Sequence, residues 1–282
     1  MSPLRVALVT GAAAGIGRAT ALRLAKRGYQ VVVADLNTER GTSTASEINA
    51  QASGGKAAFF KLDVSSEASW KDAVSYTVQK FGGLSTLVNN AGIGGPVVQI
   101  ENQDLEDWNK LQSINTVGTM LGMKTASAAL HEAGVGASVV NVGSVYALFG
   151  AVGQVPAYHG SWRLHLCLIP TLLTKGHSAA SKGAISALGL GVLRNQGPQF
   201  FFAQVSAGEY SAGAIQVNAV LPGWVQTDLV GDEGLAALLP LVPLGRHATS
   251  DEIAKAIEFL ATEDSSFCTG TELLIDGGVR AK

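Results

Sequence analysis

A doubly wound α/β domain with a seven-stranded parallel sheet is what this sequence of 282 residues predicts. Three observations carry the prediction. Short apolar runs alternate along the chain with longer segments of helical period, the pattern of strands buried on both faces and of the helices that connect them. Glycine is abundant, at 34 residues, and aromatic residues are few, at 6%. That suits tight β–α turns and close small-residue packing better than an all-β sandwich. The length is that of one large α/β domain with extra loops rather than two domains, so a single domain over 1–282 is expected.

The elements follow in order. Val6, Ala7, Leu8 and Val9 form a buried strand that ends in Thr10 and Gly11. A helix is expected over 15–28, with Gly17, Ala21, Leu24 and Gly28 on one small or apolar face. The second strand is 31–34, and later ones are expected at 57–62, 86–89, 138–142, 215–220 and 272–275. Helical patterns separate them at 38–52, 67–81, 105–133, 179–193 and 251–261. Thr249 with Glu252 makes a capping box at the start of the last helix. Right-handed crossovers then give helices on both faces of the sheet.

Composition removes several classes of function. Hydrophobic residues make up 47% and charged residues 15%, which excludes a disordered chain. A formal net charge of −2 provides no field for nucleic acid or an anionic membrane surface. The longest apolar stretch, 164–173, is too short to span a bilayer. Cys167 and Cys268 make no disulfide framework and show no metal-ligand spacing, and the five histidines add no metal pattern. No nucleic-acid partner, membrane or metal is expected, and a cytoplasmic setting is.

The end of the first strand carries the first chemical signal. Thr10-Gly11-Ala12-Ala13-Ala14-Gly15-Ile16-Gly17 joins it to a helix. Glycines there let a pyrophosphate approach the backbone, and the helix N-terminus offers N–H groups and a positive dipole end. Standing in the first βαβ unit, the run reads as a dinucleotide site rather than an ordinary turn. Asp35 ends the second strand. Its carboxylate can accept from both ribose hydroxyls of NAD and would repel the 2′-phosphate of NADP. A helix-capping role ahead of Thr38 is the other reading open to it.

Together with Asp63-Val64, Asn89-Asn90-Ala91-Gly92, Asn115, Ser144, Ser181-Lys182-Gly183-Ala184, Asn218-Ala219-Val220, Pro222-Gly223 with Thr227, and Asp276-Gly277-Gly278, these motifs resemble the short-chain dehydrogenase/reductase family. The resemblance covers nearly all of the chain outside two segments described below. It implies a Rossmann-like fold, NAD as cofactor, a small-molecule alcohol or carbonyl substrate, and a homo-oligomer, dimer or tetramer. It further implies that Asp63 and Val64 frame the adenine. Asn89, Asn90, Ala91 and Gly92 would hold the central sheet against the cofactor, and Pro222, Gly223 and Thr227 would border the nicotinamide. The family's catalytic set is Asn–Ser–Tyr–Lys, which maps here onto Asn115, Ser144, Tyr158 and Lys182. The chemistry fits those residue types. Hydride exchange at a carbinol carbon needs a partner for the hydroxyl proton, and a Tyr serves if a Lys ammonium lowers its pKa from about 10. A Ser orients the substrate oxygen and an Asn holds a water for proton relay.

One departure stands out. The family spaces Tyr and Lys four apart, and here Tyr158 and Lys182 are 24 apart. Ser178 stands four before Lys182. Tyr76 and Lys80 have the literal spacing but lie on a helix away from the cleft. Removing 159–178 joins Tyr158 to Ala179-Ala180-Ser181-Lys182 and restores YAASK. A second aperiodic segment, 192–204, contains Gly-Pro and three consecutive Phe, and taking both segments away leaves 249 residues. Two origins stand open for these insertions: translated non-coding sequence, or a lid over the substrate cleft. Two functions stand open with them. One is an NAD(H)-dependent oxidoreductase that interconverts a secondary alcohol and a ketone. The other is a cofactor-binding protein without turnover. Loops at 93–99, 146–155 and 225–239, rich in apolar residues, are expected to select the substrate.

Overall fold

Along the first strand, β1 (Val6–Thr10), alternate side chains enter opposite cores. Ala7 and Val9 pack with helices α1 (Gly15–Lys26) and α2 (Thr38–Ala50), whereas Leu8 packs against α3 (Glu67–Phe81). A strand that is apolar at every position suits this two-sided burial. The chain is described here from a computed structural model over residues 4–51, 54–96, 98–147, 215–229 and 232–281. Six further strands join β1: β2 (Gln30–Asp35), β3 (Ala57–Lys61), β4 (Thr86–Asn89), β5 (Ser138–Val142), β6 (Gln216–Pro222) and β7 (Glu272–Ile275). All pair in parallel, in the order β3-β2-β1-β4-β5-β6-β7. The expected seven-stranded, doubly wound sheet is therefore present.

Among the described residues the remaining helices are α4 (Leu105–Leu111), α5 (Gly118–Ala133), α6 (Asp232–Leu238) and α7 (Ser250–Ala261). Local signals fix most starts. Asn37 caps α2, Ser66 caps α3 and Asp104 caps α4 by accepting backbone N–H bonds. The Thr249–Glu252 capping box is formed at α7.

Three details differ from the sequence reading. The helix expected at 105–133 is broken by a π-helical turn, Gln112–Val117, between α4 and α5. Gly28 is not on the buried face of α1, because the helix ends at Lys26 and Gly28 is exposed in the turn beyond it. The stretch read as loop after β6 contains α6. The expected helix at 179–193 and both insertions lie outside the described residues.

Helix α7 packs on α1 through Ile253, Ile257 and Leu260, all fully buried. Each such side chain contributes roughly 1.5–3 kcal/mol. Ion pairs at the same seam, Arg23–Asp251 at 2.8 Å and Arg23–Glu258, are partly exposed and worth about 1 kcal/mol or less each. Apolar burial therefore holds the seam, and the charges set its register.

The start of α7 gives an acid-linked prediction. The Arg246 guanidinium and the Thr249 backbone N–H hold the Glu252 carboxyl down to about 2 from its ordinary 4.5. The folded chain thus binds this proton less readily than the unfolded chain. Its contribution is complete above about pH 4.5 and is lost as pH falls toward 2. Wild type is expected to melt above Glu252→Gln near neutrality, with the gap closing across that acid window. Melting curves in which the gap stays constant down to the acid end would contradict the assignment.

Candidate active site

Strands β1 and β4 are neighbours whose connections leave in opposite directions, so a crevice opens at their carboxyl ends. The loop after β1 forms one wall. Gly11 and Gly15 have φ of +63° and +52°, conformations that suit glycine. A Cβ on Gly17 would lie 2.3 Å from the Gly11 carbonyl oxygen and 2.5 Å from Asn90 Nδ2. Helix α1 starts at Gly15 after Ala14, with no side-chain cap. Its first-turn N–H groups and positive dipole end are left for an anion.

The floor is locked from β4. Asn90 N–H and Ala91 N–H donate to Thr10 Oγ1 at 3.0 and 2.9 Å, and Asn90 Nδ2 donates to the Thr10 carbonyl at 2.8 Å. Ala91 and Gly92 continue the same wall, both half-buried. At the end of β2, Asp35 Oδ2 accepts Ala13 N–H at 3.0 Å and Oδ1 accepts Asn37 N–H at 2.9 Å. Each oxygen keeps a further lone pair for a ribose hydroxyl. At the end of β3, Asp63 Oδ1 accepts the Ser65 backbone N–H at 2.9 Å, while buried Val64 takes the Trp70 Nε1–H on its carbonyl at 2.9 Å.

The loop after β6 crosses this crevice. Gly223 N–H donates to the Ile275 carbonyl at 2.9 Å, which sets the direction of the chain leaving Pro222. The Thr227 methyl lies 3.3 Å from where a Gly15 Cβ would be, and Leu229 lies 3.6 Å from a Gly94 Cβ. Between them, Asp228 pairs with Arg40 of α2 at 2.8 Å. Three successive residues thus touch the α1 start, α2 and the β4 loop. This clasp was not legible in the sequence, because Arg40 and Asp228 have no local pattern connecting them.

Asn115 lies in the π turn and is fully buried. Its Oδ1 accepts Ile93 N–H at 2.9 Å, and its Nδ2 donates to the Ile93 carbonyl at 3.0 Å. The carboxamide therefore grips the backbone of the β4 loop. π turns recur at functional positions, and this one puts Asn115 beside the loop that leads from the cofactor crevice. Ser144 follows the carboxyl end of β5 and is 7% exposed. Its Oγ accepts Tyr146 N–H at 3.2 Å. Tyr158 and Lys182 lie outside the described residues.

Beyond Ser144, Tyr146 and Trp224 meet edge to face, with ring centroids 6.4 Å apart, and Trp224 Nε1–H donates to the Tyr146 hydroxyl at 3.2 Å. Burial pushes the Tyr146 phenol above its ordinary pKa, so it stays neutral. Leu235, Leu238, Val242 and Val279 complete this apolar cluster, on which α6 rests. Trp224 directly follows Pro222-Gly223, and Tyr146 opens the loop at 146–155 that the sequence reads as substrate-selecting; nothing local in the sequence joins the two rings.

The crevice fits a dinucleotide: glycines where a Cβ would collide, an uncapped helix start for the pyrophosphate and a carboxylate for the ribose. With Asn115 and Ser144 beside it, the fold defines a nicotinamide-type α/β domain. Residues 5–162 match the family described as short chain dehydrogenase, and residues 202–280 match the one described as Enoyl-(Acyl carrier protein) reductase. The chain belongs to the short-chain dehydrogenase family. It is 34% identical over 281 residues to a cyclohexanol dehydrogenase of Acinetobacter sp. (strain SE19), spanning 99% of this chain and 96% of that protein. A trans-4-hydroxycyclohexanecarboxylate dehydrogenase of Sinomonas cyclohexanicum is 36% identical over 281 residues, with 98% and 93% covered. The crystal structure of a short-chain type dehydrogenase/reductase from Mycobacterium marinum superposes with a TM-score of 0.82 at 26% identity, covering 99% of this chain and 97% of that one. No helix among the described residues is long and apolar enough to cross a membrane.

Proposed function

We propose that the chain is an NAD(H)-dependent oxidoreductase that interconverts a secondary alcohol on a small carbocycle and its ketone. Relatives named for cyclohexanol and hydroxycyclohexanecarboxylate support the substrate class, as does the apolar cluster around Tyr146 and Trp224. These names denote turnover, which disfavours binding without it. Asp35, its two oxygens tied to Ala13 and Asn37, supports NAD over NADP. A fixed carboxylate there repels a 2′-phosphate.

When bound, nicotinamide supplies the hydride acceptor or donor. Gly11, Gly15, Ile16 and Gly17 would hold the pyrophosphate, Asp35 the ribose and Asp63 and Val64 the adenine, while Asn90, Ala91 and Gly92 would hold the central sheet against the cofactor and Pro222, Gly223 and Thr227 would border the nicotinamide. Ser144 receives an N–H on its oxygen, so its own proton donates to the substrate oxygen. In the oxidative direction Tyr158, as phenolate, takes the carbinol hydroxyl proton while the carbon loses hydride and the C=O bond forms. Lys182 favours that phenolate through its charge. Asn115 holds the β4 loop and, with it, the proton path.

The first family match ends at 162, just past Tyr158, and the second begins at 202. This supports insertions at 159–178 and 192–204 within one domain over 1–282. A homo-oligomer, dimer or tetramer, belongs to the same proposal. It is supported by the place of β7 at the end of the sheet and by fully exposed Phe267 close before it. So does a reducing, cytoplasmic setting, supported by the free Cys268.

The observation that carries the reading is the Asp35–glycine-loop crevice with Ser144 at its side. Purified protein given NAD or NADP with cyclohexanol, cyclopentanol and their ketones tests it. Reduced-nicotinamide absorbance is expected to rise with NAD and a ring alcohol, and kcat/KM to favour NAD over NADP by about a hundredfold. Cofactor binding with no turnover on any of these compounds would remove the enzymatic reading. A preference for NADP would remove the role given to Asp35.

A further inference from the structure

We propose that Tyr146 is a positioning residue, clamped by Trp224, that aims the Ser144 hydroxyl at the substrate oxygen. The inference rests on the role given to Ser144 above. Ser144 leads into a 3-10 turn, Val145–Ala147. Its carbonyl accepts Ala147 N–H at 2.9 Å and its Oγ accepts Tyr146 N–H at 3.2 Å. A free serine hydroxyl samples three staggered positions. The Tyr146 amide selects one and occupies an acceptor site, which leaves the hydroxyl proton directed elsewhere.

That selection is only as firm as the turn. Val145, Tyr146 and Ala147 are all buried, at 1, 9 and 1% exposure. The Tyr146 side chain extends from the turn to the loop after β6, where Trp224 Nε1–H meets its hydroxyl at 3.2 Å. Trp224 is itself anchored. Its carbonyl accepts Ala248 N–H at 3.0 Å, and the preceding Gly223 N–H is held by β7 at 2.9 Å. A continuous chain of bonds therefore runs from the C-terminal strand through Trp224 and Tyr146 to the Ser144 Oγ. Both rings are more than nine-tenths buried, so cutting the bond leaves an indole N–H without water to replace its partner. The Tyr146 phenol is neutral and does not compete with Tyr158 for the substrate proton.

Tyr146→Phe, Ser144→Ala and the double variant form the test, on the full chain with NAD and a ring alcohol. Tyr146→Phe is expected to lower kcat about tenfold, the worth of one buried hydrogen bond. KM for NAD and the pH dependence of kcat should not move. The primary isotope effect from alcohol deuterated at the carbinol carbon should rise, because misaimed Ser144 slows hydride transfer itself. In the Ser144→Ala background Tyr146→Phe should cost nothing more. If Tyr146→Phe does not fold, Trp224→Phe removes the same bond from its other end and is read the same way. An equal loss with and without Ser144, or an unchanged isotope effect, overturns the proposal but leaves the role of Ser144 standing. Wild-type kcat in Ser144→Ala overturns both.

Discussion

Tyr158→Phe is expected to lower kcat with NAD and a ring alcohol by about a thousandfold, within the range for loss of a general acid–base group. Dinucleotide binding should persist. The carbinol proton must leave as hydride leaves, or an unstable oxocarbenium-like charge builds on carbon. A phenol with its ordinary pKa near 10 is a poor acceptor near neutrality, and an adjacent ammonium is what brings it into range. Among the residues the resemblance assigns, only Tyr158 offers a phenol for Lys182. Tyr146 does not substitute, because burial raises its pKa and Trp224 already donates to it.

The spacing makes the experiment sharper. Ser178, four before Lys182, is the competing hydroxyl. Ser178→Ala should leave kcat unchanged if Tyr158 does the work, and a variant lacking 159–178 should retain turnover because it restores YAASK. Loop closure over 20 residues is thermodynamically mild, yet catalysis needs placement within about half an ångström. Deletion is therefore expected to raise kcat, not lower it. Full turnover in Tyr158→Phe, measured against NADH binding to count intact sites, would defeat the assignment.

The frame was legible because its signals are local. The strands at 86–89, 138–142 and 272–275 and the helix at 67–81 have the bounds the sequence predicts. Hydrophobic runs define the strands, and a Ser66 cap with Gly82 beyond Phe81 defines the helix. The misread elements depend on distant partners. An even helical period over 105–133 does not reveal that Asn115 will bond the Ile93 backbone 22 residues away and that the helix there opens into a π turn. Helix α6 is one seven-residue segment with a glycine in it, too short to stand on propensity. It exists by resting Leu235 and Leu238 on Tyr146, Trp224, Val242 and Val279. The site divides in the same way. Gly11, Gly15, Gly17, Asp35 and Ser144 announce themselves by position relative to strand ends. Tyr146 acquires its role from Trp224, 78 residues later, and the Arg40–Asp228 clasp joins elements from opposite halves of the chain.

Gly17→Ala is expected to destabilise the fold by about 2 kcal/mol and to abolish NAD binding at concentrations that saturate the wild type. Helix propensity argues the other way: Ala in place of Gly inside α1 should gain about 1 kcal/mol. The close approach decides the sign. The added Cβ would stand 2.3 Å from the Gly11 carbonyl oxygen, 2.8 Å from its carbon and 2.5 Å from Asn90 Nδ2. None of these is the loose end of a flexible side chain. Gly11 sits in the turn out of β1 at φ +63°. Asn90 Nδ2 is committed to the Thr10 carbonyl at 2.8 Å. Relief therefore requires α1 to back away from the loop, which carries its first-turn N–H groups off the pyrophosphate position. The two effects separate experimentally. Urea unfolding at constant m-value reads the stability loss, and NADH fluorescence titration of the folded variant reads the binding loss. An alanine variant that binds NADH with wild-type affinity would show that the helix start does not cradle the phosphates, and the cofactor crevice would have to be placed elsewhere.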